Sequence, residues 1–403
     1  MSSQLLYQVF RVHGYRLTKL RTEGLVYMHV EPQEHRVCCS ACRSRHVIRR
    51  GQTERWFRNL PVGGEVTWLI ATLPRVECRD CGLVRQIDSG LAEPRRTYTR
   101  AFERYVLELS RYMTIQDVAA HLGISWDIVK DIQLRNLQRR YAKPKLKKVR
   151  QIAIDEICIG RGRRFVTLVL DLVRGAILFV GQGKKAESLQ PFWRRLRASH
   201  AKIQAVAIDM SPAYLSAVQQ NLPRAAVVYD RFHVVKLMNE KLTELRRELY
   251  REAVDKRHQQ VLKGTRWLLL KTPDNLDPVK GEPRRLQEAL RLNEALATAY
   301  YLKEDLRQFW EQPDKASARR KLLDWYHQAQ ASGVRLLQQF ALFLLQRQAG
   351  LLAWYDFPIS TGPLEGTNNK IKTMQRQHYG LRDQNFFILK LYQLHEAKYA
   401  LVG

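Results

Sequence analysis

The sequence lacks a long uninterrupted run of apolar residues. Its most apolar stretch, Val334 to Tyr355, is interrupted by two arginines and several glutamines, whereas a helix that spans a bilayer needs about 20 predominantly apolar residues. No apolar segment of the secretory type follows Met1. We therefore expect no signal peptide and no membrane partner, and we expect the protein in the cytoplasm.

Acidic residues are scarce relative to basic ones. The chain has 68 Lys and Arg but only 39 Asp and Glu, which gives a formal net charge of +29. This surplus predicts a polyanionic partner, and nucleic acid comes first because each neutralised phosphate releases condensed counterions. The alternatives are a ribosomal or merely cationic protein, and a protein that binds anionic lipid.

Two common functional patterns are missing. The segment Gly181-x-Gly183-Lys184-Lys185 lacks the spacing and the Ser or Thr of a Walker loop, which argues against nucleotide binding. No Ser-His-Asp arrangement can be recognised either. With six cysteines and no secretory signal, metal binding is favoured over a disulfide framework. Cys158 lies in a strand-like run, and we expect it in the core.

Four of the cysteines form two Cys-x-x-Cys pairs. They are Cys39, Cys42, Cys78 and Cys81. Two thiolate pairs suit one tetrahedral Zn²⁺ with no open coordination position, so we expect a structural ion that holds together a β domain too small to bury enough core alone. The adjacent Cys38 leaves open whether it replaces Cys39 as a ligand.

The segment from Thr114 to Val129 has the pattern of a helix-turn-helix. Its first helix ends at Gly123, which tolerates the left-handed conformation. Ser125 then caps a second helix whose start would enter the major groove. Helical hairpins that do not bind DNA share this pattern, but the basic charge and the cysteine pairs favour the DNA-reading interpretation.

Periodicity predicts a multidomain α/β protein. Short β-type runs come first, a helical period follows, and a basic segment with a proline leads to strand-like runs in the order three strands, helix, strand, strand. That order predicts a mixed sheet. The expected domains are a small β zinc ribbon (1–95), a helix-turn-helix (96–142), a basic linker (143–150), a mixed-sheet catalytic domain (151–235 and 356–403) and a large all-helical insertion (236–355).

Three acidic residues indicate phosphoryl-transfer chemistry. Asp155 and Asp209 each end a strand-like run, and Glu365 opens a terminal helix. Carboxylates at one rim of a sheet need a counter-cation, and such oxygen-rich sites suit Mg²⁺. Two Mg²⁺ ions about 3.5–4 Å apart, with Mn²⁺ as a substitute, would activate the attacking oxygen and stabilise the departing one. Any one of these acids alone would be interpreted as an ordinary strand-end residue, but the three together favour catalysis.

Three neighbouring residues are weaker candidates. Glu156 should point to the opposite face of its strand from Asp155. Asp230 could be a fourth acid at the rim, and His233 could contact a substrate phosphate. Either could instead anchor the start of a helix.

These features together resemble the ISL3 family of bacterial insertion-sequence transposases. The likeness covers essentially the whole chain and is most specific at Ala207 to Tyr214, at Asp230 to Val234 and at Gly362 to Lys372. It implies a zinc ribbon, a helix-turn-helix and an RNase H-like catalytic domain with a helical insertion. It also implies that the three acids are the DDE triad and that Asp230 and His233 form an acid-x-x-His element.

We therefore predict a Mg²⁺-dependent transposase that binds the terminal inverted repeats of its element, cuts there and joins the freed end to target DNA. Bringing two ends together implies a homodimer or higher oligomer, formed through the helical insertion, and association with the nucleoid. The alternatives are a DNA-binding regulator derived from a transposase and an RNase H-like nuclease without joining activity. The expected DNA contacts are Ser125, Trp126, Lys130, Arg135, Lys145, Lys147, Lys148, Asn368, Asn369, Lys370 and Lys372.

Overall fold

The computed structural model describes residues 3–22, 24–160, 164–377 and 383–395, which form two compact units that divide between Arg140 and Tyr141. The end of the expected catalytic domain, 396–403, lies outside the described residues. The strands are β1 (Tyr15–Thr22), β2 (Val26–Pro32), β3 (Val47–Arg58), β4 (Thr67–Cys78), β5 (Val84–Gln86), β6 (Gln151–Gly160), β7 (Arg164–Asp171), β8 (Ala176–Gln182), β9 (Ala205–Ile208) and β10 (Ala226–Tyr229). The helices are α1 (Ser3–Phe10), α2 (Arg100–Leu109), α3 (Ile115–Leu122), α4 (Trp126–Tyr141), α5 (Gln190–Ser199), α6 (Pro212–Asn221), α7 (Arg231–Glu252), α8 (Lys256–Gly264), α9 (Glu282–Leu292), α10 (Glu294–Arg307), α11 (Lys315–Ala331), α12 (Arg335–Leu345), α13 (Gln348–Leu352), α14 (Gly362–Gln377) and α15 (Gln384–Gln393).

The sheet of the first unit is larger than a zinc ribbon alone. Its strands follow the order β1-β2-β4-β3, and β5 pairs with the end of β4. Leu69, Ala71 and Leu73 alternate along β4 and face the core, where Phe10 from α1 and Phe57 from β3 join them. This sheet therefore buries a hydrophobic cluster of its own, whereas the cluster that contains Val37 and Val76, close in sequence to the cysteines, has only Ile87 as a further buried member among the described residues.

The helix-turn-helix forms where its pattern predicts it. Thr114 and Asp117 make a reciprocal capping box at the start of α3, and Gly123 ends that helix in the left-handed conformation at φ 60°. The Ser125 carbonyl then accepts a hydrogen bond from the Ile128 N–H at 3.1 Å, which starts α4. A tight turn between α3 and α4 follows from these local contacts.

The second unit contains a mixed five-stranded sheet in the order β10-β9-β6-β7-β8. β6, β7 and β8 are antiparallel, and β9 and β10 run parallel to β6. This is the mixed sheet that the strand order predicts, and it agrees with the RNase H-like domain that the resemblance implies. β9 is buried along its whole length, because helices cover both faces of a parallel sheet.

The basic linker and the helical segment, which precede and follow this sheet along the chain, both pack into its core. The expected domain boundaries treated them as separate from it. Leu146 and Val149 of the basic linker are buried in the core of the second unit, while the neighbouring lysines stay exposed. α7 continues without a break across the expected boundary between 235 and 236. The helices from α7 to α13 share one hydrophobic cluster with the sheet. No helix in the described ranges has the length and apolar character needed to cross a membrane.

Cys158 is exposed, so its expected place in the core was wrong. Side chains alternate along β6, and Ile157 takes the inward position at 4% exposure. The Cys158 Sγ lies 3.5 Å from the Gly160 carbonyl, near the end of the strand. Successive side chains of a strand point to opposite faces of the sheet. The apolar composition of the strand does not show which of the two faces Cys158 takes.

Gly350 of α13 allows the helical segment to approach β10. A Cβ built there would lie 2.4 Å from the ring of Tyr229, which is 3% exposed. We expect Gly350→Ala to destabilise the second unit by about 1–3 kcal/mol, because overpacking forces the core to shift. Urea unfolding monitored by tryptophan fluorescence measures this effect. Gly366→Ala is the matched control, since its Cβ would meet nothing within 4 Å, and loss of stability in both variants alike would contradict the packing argument.

Candidate active site and zinc centre

Parallel register aligns the carboxylates at one rim of the RNase H-like sheet. Ala153 lies opposite Ala207, so the same register carried two residues further sets Asp155 beside Asp209. Asp209 accepts a hydrogen bond from the Ser211 N–H at 3.0 Å through Oδ1. One carboxylate oxygen is thus occupied by the start of α6. Asp209 follows the end of β9 as expected, but the prediction that Asp155 ends its strand was wrong, because β6 continues to Gly160 and pairs with β7 there. Asp155 lies in the middle of β6, at the level where the shorter strand β9 ends.

Nearby positive charge compensates the pair Asp155 and Asp209 only in part. Burial raises the pKa of Asp155, and the negative charge of Asp209 raises it further, while His233 and Asn368 partly offset the shift. The Asn368 Nδ2 donates to Asp155 at 3.4 Å. Its Oδ1 is buried without a hydrogen-bond partner. An orphaned amide oxygen beside two carboxylates is a donor set that suits a hard divalent cation.

Glu365 lies in the first turn of α14 and is exposed. Among the described residues, the four cysteines are the only group of three or more His, Cys, Asp or Glu residues whose ligand atoms all lie within 4.8 Å of one another. Asp155, Asp209 and Glu365 therefore do not form such a cluster. Asn368, one turn further along α14, is the residue that reaches Asp155. Asn368 was expected to contact DNA, and its hydrogen bond to Asp155 was not predicted.

Glu156 and Asp155 have different partners. The Tyr214 hydroxyl of α6 approaches the Glu156 carboxylate at 3.5 Å, whereas Asp155 contacts α14. Burial raises the pKa of Glu156, and the charge of Asp209 adds to the shift. Glu156 is therefore electrostatically coupled to the acid pair, a role that strand parity alone did not indicate.

Asp230 follows β10 and is 2% exposed. It accepts hydrogen bonds from the Thr361 hydroxyl at 2.8 Å and the Thr361 N–H at 3.3 Å, and from His233 Nδ1 at 3.1 Å. Burial acts to raise its pKa, but these donors hold it below its usual value. Its hydrogen bonds are thus made to α7 and to the start of α14, which fits the helix-anchor interpretation better than that of a free rim acid.

His233 links Asp230 to the acid pair. Its hydrogen bond to Asp230 raises its pKa, and the charges of Asp155 and Asp209 raise it further. The side chain is 22% exposed. The raised pKa favours the protonated imidazole, which could donate to a phosphate oxygen.

The expected DNA contacts divide into exposed and engaged residues. Trp126 is 49% exposed, and Lys130 is half-buried in the next turn. Arg135 is engaged, because its guanidinium donates to Glu103 at 2.5 Å and to Asp131 at 3.0 Å. The internal ion pairs make Arg135 a poor candidate for a phosphate contact. Exposed residues among the others are Ser125, Lys145, Lys147, Lys148, Asn369, Lys370 and Lys372.

The four cysteines meet at one end of the first sheet. Their Sγ atoms lie 3.7 Å apart for Cys39 and Cys81, and 3.5 Å apart for Cys42 and Cys78. Sulfurs about 2.3 Å from a tetrahedral Zn²⁺ would be about 3.8 Å from one another, so the donor set fits zinc. Cys38 lies outside this cluster, and the first ligand is therefore Cys39.

The two knuckles share one backbone design. In each, the residue after the second cysteine has a positive φ, 66° at Arg43 and 69° at Gly82. Its N–H donates to the carbonyl of the first cysteine, at 3.0 Å and 2.9 Å respectively. Backbone N–H groups of Cys42 and Ala41 lower the pKa of the Cys39 thiol to about 6. The turn thus favours the thiolate that a metal requires.

The chain combines a mixed sheet that carries two aligned acids with a helix-turn-helix and a four-cysteine cluster, which is the combination that the resemblance to DNA transposases with an RNase H-like domain implies. A family model described as a transposase, the ISL3 DDE domain, matches residues 152–391. The helix-turn-helix domain of transposase family ISL3 matches 89–135. The zinc-finger of transposase IS204/IS1001/IS1096/IS1165 matches 35–81. The chain belongs to the ISL3 family of transposases.

Individual relatives agree with this membership. The chain is 32% identical over 367 residues to the transposase for insertion sequence element IS1001 of Bordetella parapertussis, covering 90% of each protein. It is 26% identical over 378 residues to the transposase for insertion sequence element IS1557 of Mycobacterium tuberculosis, covering 87% of this chain and 84% of that one. The Drosophila P element transposase strand transfer complex has a TM-score of 0.34 and 10% identity, over 67% of this chain and 82% of that chain.

We expect one zinc per chain by elemental analysis. Cys42→Ser and Cys81→Ser should each lose the ion, because a closed site needs all four thiolates. The knuckles should then open, with faster amide hydrogen exchange at Val37 and Val76, which pack beside the cluster. Cys158→Ser is the matched control and should keep its zinc. Zinc-free protein with parental exchange rates in the knuckles would contradict the assignment.

Proposed function

We propose that this chain is a divalent-metal-dependent DDE transposase that binds the terminal inverted repeats of its insertion sequence, cuts there and joins the freed 3′ end to target DNA. The observation that carries the proposal is the register-aligned pair Asp155 and Asp209 beside the orphaned Asn368 oxygen. The names of the relatives, as transposases for insertion sequence elements, support the same reaction.

Asp155, Asp209 and Glu365 would hold Mg²⁺, with Mn²⁺ as a substitute. The bound ions would supply the positive charge that lets an oxygen nucleophile attack a phosphodiester and lets the leaving oxygen depart. The half-buried pair provides a site in which electrostatic interactions are stronger than in bulk water, because water is partly excluded. Glu365 is proposed as the third ligand from the resemblance, and its exposed place on α14 leaves its carboxylate open to solvent.

The remaining side chains would position DNA. His233 faces the acid pair and is held by Asp230, so its second ring nitrogen is available for a phosphate oxygen. The exposed start of α4, with Ser125 and Trp126, is the surface proposed to read bases. The exposed lysines of the linker and of α14 would bind phosphates. Action on two element ends requires at least a dimer, for which the helical segment 236–355 is the proposed interface.

The triad is tested by neutral, shape-conserving substitutions. We expect Asp155→Asn, Asp209→Asn and Glu365→Gln each to abolish both cleavage and joining of labelled end DNA in Mg²⁺, because both steps use one site. End binding, measured by mobility shift, should stay near the parent value. Glu187→Gln is the matched control, an exposed acid of the same unit.

Glu156→Gln separates the two candidate third acids. We expect this variant to retain substantial activity, because Glu156 is held by Tyr214 of α6 and not by α14. The opposite pattern, an active Glu365→Gln protein with an inactive Glu156→Gln protein, would transfer the third-ligand role to Glu156. It would also remove the main support for the DDE assignment.

The Asp230–Thr361 contact is tested as a positioning element. Thr361→Val removes one hydrogen bond from the buried carboxylate, and we expect kcat for cleavage to fall, since misplacement by about 1 Å can cost on the order of 10²-fold. KM for end DNA should change little. Thr361→Ser restores the hydroxyl and should restore kcat. A parental kcat in Thr361→Val, or a loss that Thr361→Ser shares, would count against the positioning role.

A further inference from the structure

A basic cleft opens in the first unit, and no residue of α4 lines it. Its volume is about 880 Å³, and its walls include the end of α1, Arg36, the turn at Gly90 and Leu91, and one side of α2. The walls thus include residues of the zinc-finger and helix-turn-helix segments, but neither the four cysteines nor the exposed start of α4. The cleft therefore has no role in the function derived so far.

The lining carries a strong excess of positive charge. Four arginines line it, namely Arg11, Arg36, Arg100 and Arg104. Among its described lining residues the one acid is Glu108, which is already paired with Arg111 at 3.2 Å. Arg100 pairs with Glu93 at 3.3 Å. Positive charge concentrated in a concave surface attracts anions more strongly than the same charge on a convex one.

Arg36 sits in a built socket at the cleft. Its guanidinium donates to the carbonyls of Ser89 at 3.0 Å and His13 at 3.3 Å, and lies over the Tyr15 ring at 5.4 Å. A Cβ on Gly14 would lie 2.4 Å from this side chain, and a Cβ on Gly90 would lie 2.3 Å from it. Both positions therefore need glycine to leave room for the Arg36 side chain. No carboxylate neutralises Arg36 within 4 Å among the described residues, and its Nε is buried without a partner.

Arg11 occupies a backbone position that favours glycine. It follows α1 with φ 54°, and its N–H donates to the Tyr7 carbonyl at 3.1 Å, as at a left-handed helix end. An arginine there costs stability relative to glycine. Arg11 and Arg104 are both exposed, and neither has an ion pair among the described residues. Their charges are available to a ligand at the mouth of the cleft.

We propose that this cleft binds the sugar-phosphate backbone of the element-end DNA, as a second contact separate from the base-reading start of α4. This inference rests on the proposed function. A DNA strand fits better than a small anion, because the charges are spread over an open cleft and two of them lie at its mouth. α2 borders the cleft with Arg100 and Arg104 while its buried residues Phe102 and Val106 pack in the helix-turn-helix core. A phosphate contact there would fix the register of the reading helix on the duplex.

The test uses the full-length, zinc-loaded protein and measures DNA affinity as a function of KCl concentration. The variants are Arg11→Gly, Arg104→Gln and their combination. Each lost phosphate contact should make the slope of log K against log salt less negative by about 0.9. End DNA and an unrelated duplex should weaken by the same factor. Arg16→Gln is the matched control, an exposed arginine of β1 paired with Glu31 at 2.8 Å, and should keep the parent slope.

Arg11→Gly separates binding from folding. Because glycine relaxes the left-handed residue, this variant should unfold at an equal or higher urea concentration while it binds DNA more weakly. Parent affinity and slope in the double variant would overturn the proposal. So would a loss of inorganic phosphate binding, measured by calorimetry, with unchanged DNA affinity, since the cleft would then hold only the free ion.

The result can be distinguished from failure of the proposed function. A Trp126→Ala protein should lose its preference for end DNA over unrelated duplex while it keeps the parent salt slope. If the parent protein binds DNA but neither cuts nor joins it, and the double variant still has the shallower slope, the cleft is supported and the transposition chemistry is not.

Discussion

The packing of the second unit depends on the buried carboxylate of Asp230. Asp230, 2% exposed, receives hydrogen bonds from His233 three residues later and from Thr361, 131 residues later. A buried charge without donors would cost several kcal/mol, on the order of the measured cost of breaking buried pairs. The three donated hydrogen bonds offset that cost only when the start of α14 lies next to the end of β10. The Asp230–Thr361 contact therefore fixes the chain that follows the helical segment against the sheet, and Asn368 of α14 then lies next to Asp155.

Features set by local spacing could be predicted from the sequence. The neighbouring parallel strands β6 and β9 bring Asp155 and Asp209 together through the register of Ala153 with Ala207, although β6 itself continues beyond Asp155. Each Cys-x-x-Cys knuckle of the zinc cluster is a local turn, and the turn between α3 and α4 follows from Gly123. In these cases a repeated local motif or one strand pair determines the geometry.

Features set by distant partners could not be predicted. Asp230 has the sequence signature of a rim acid, but Thr361 decides that it is a buried anchor. Arg135 has the spacing of a helical DNA contact, but Glu103, 32 residues earlier, takes its guanidinium. The exposure of Cys158 could not be predicted without knowing which alternate residues of β6 face the core. The size of the first sheet was missed because its hydrophobic core joins α1 to strands as far apart as β1 and β4.

The net charge of +29 and the half-buried acid pair Asp155 and Asp209 act on DNA in opposite ways. A basic surface attracts DNA of any sequence, and its affinity falls steeply with salt. Asp155 and Asp209 have the opposite effect, because a phosphodiester brought against two carboxylates would be repelled unless cations neutralised them. Burial raises the pKa of Asp155, and the charge of Asp209 raises it further. Under the proposed function, binding would be broad, while approach of the reacting phosphate would depend on a cation at these acids.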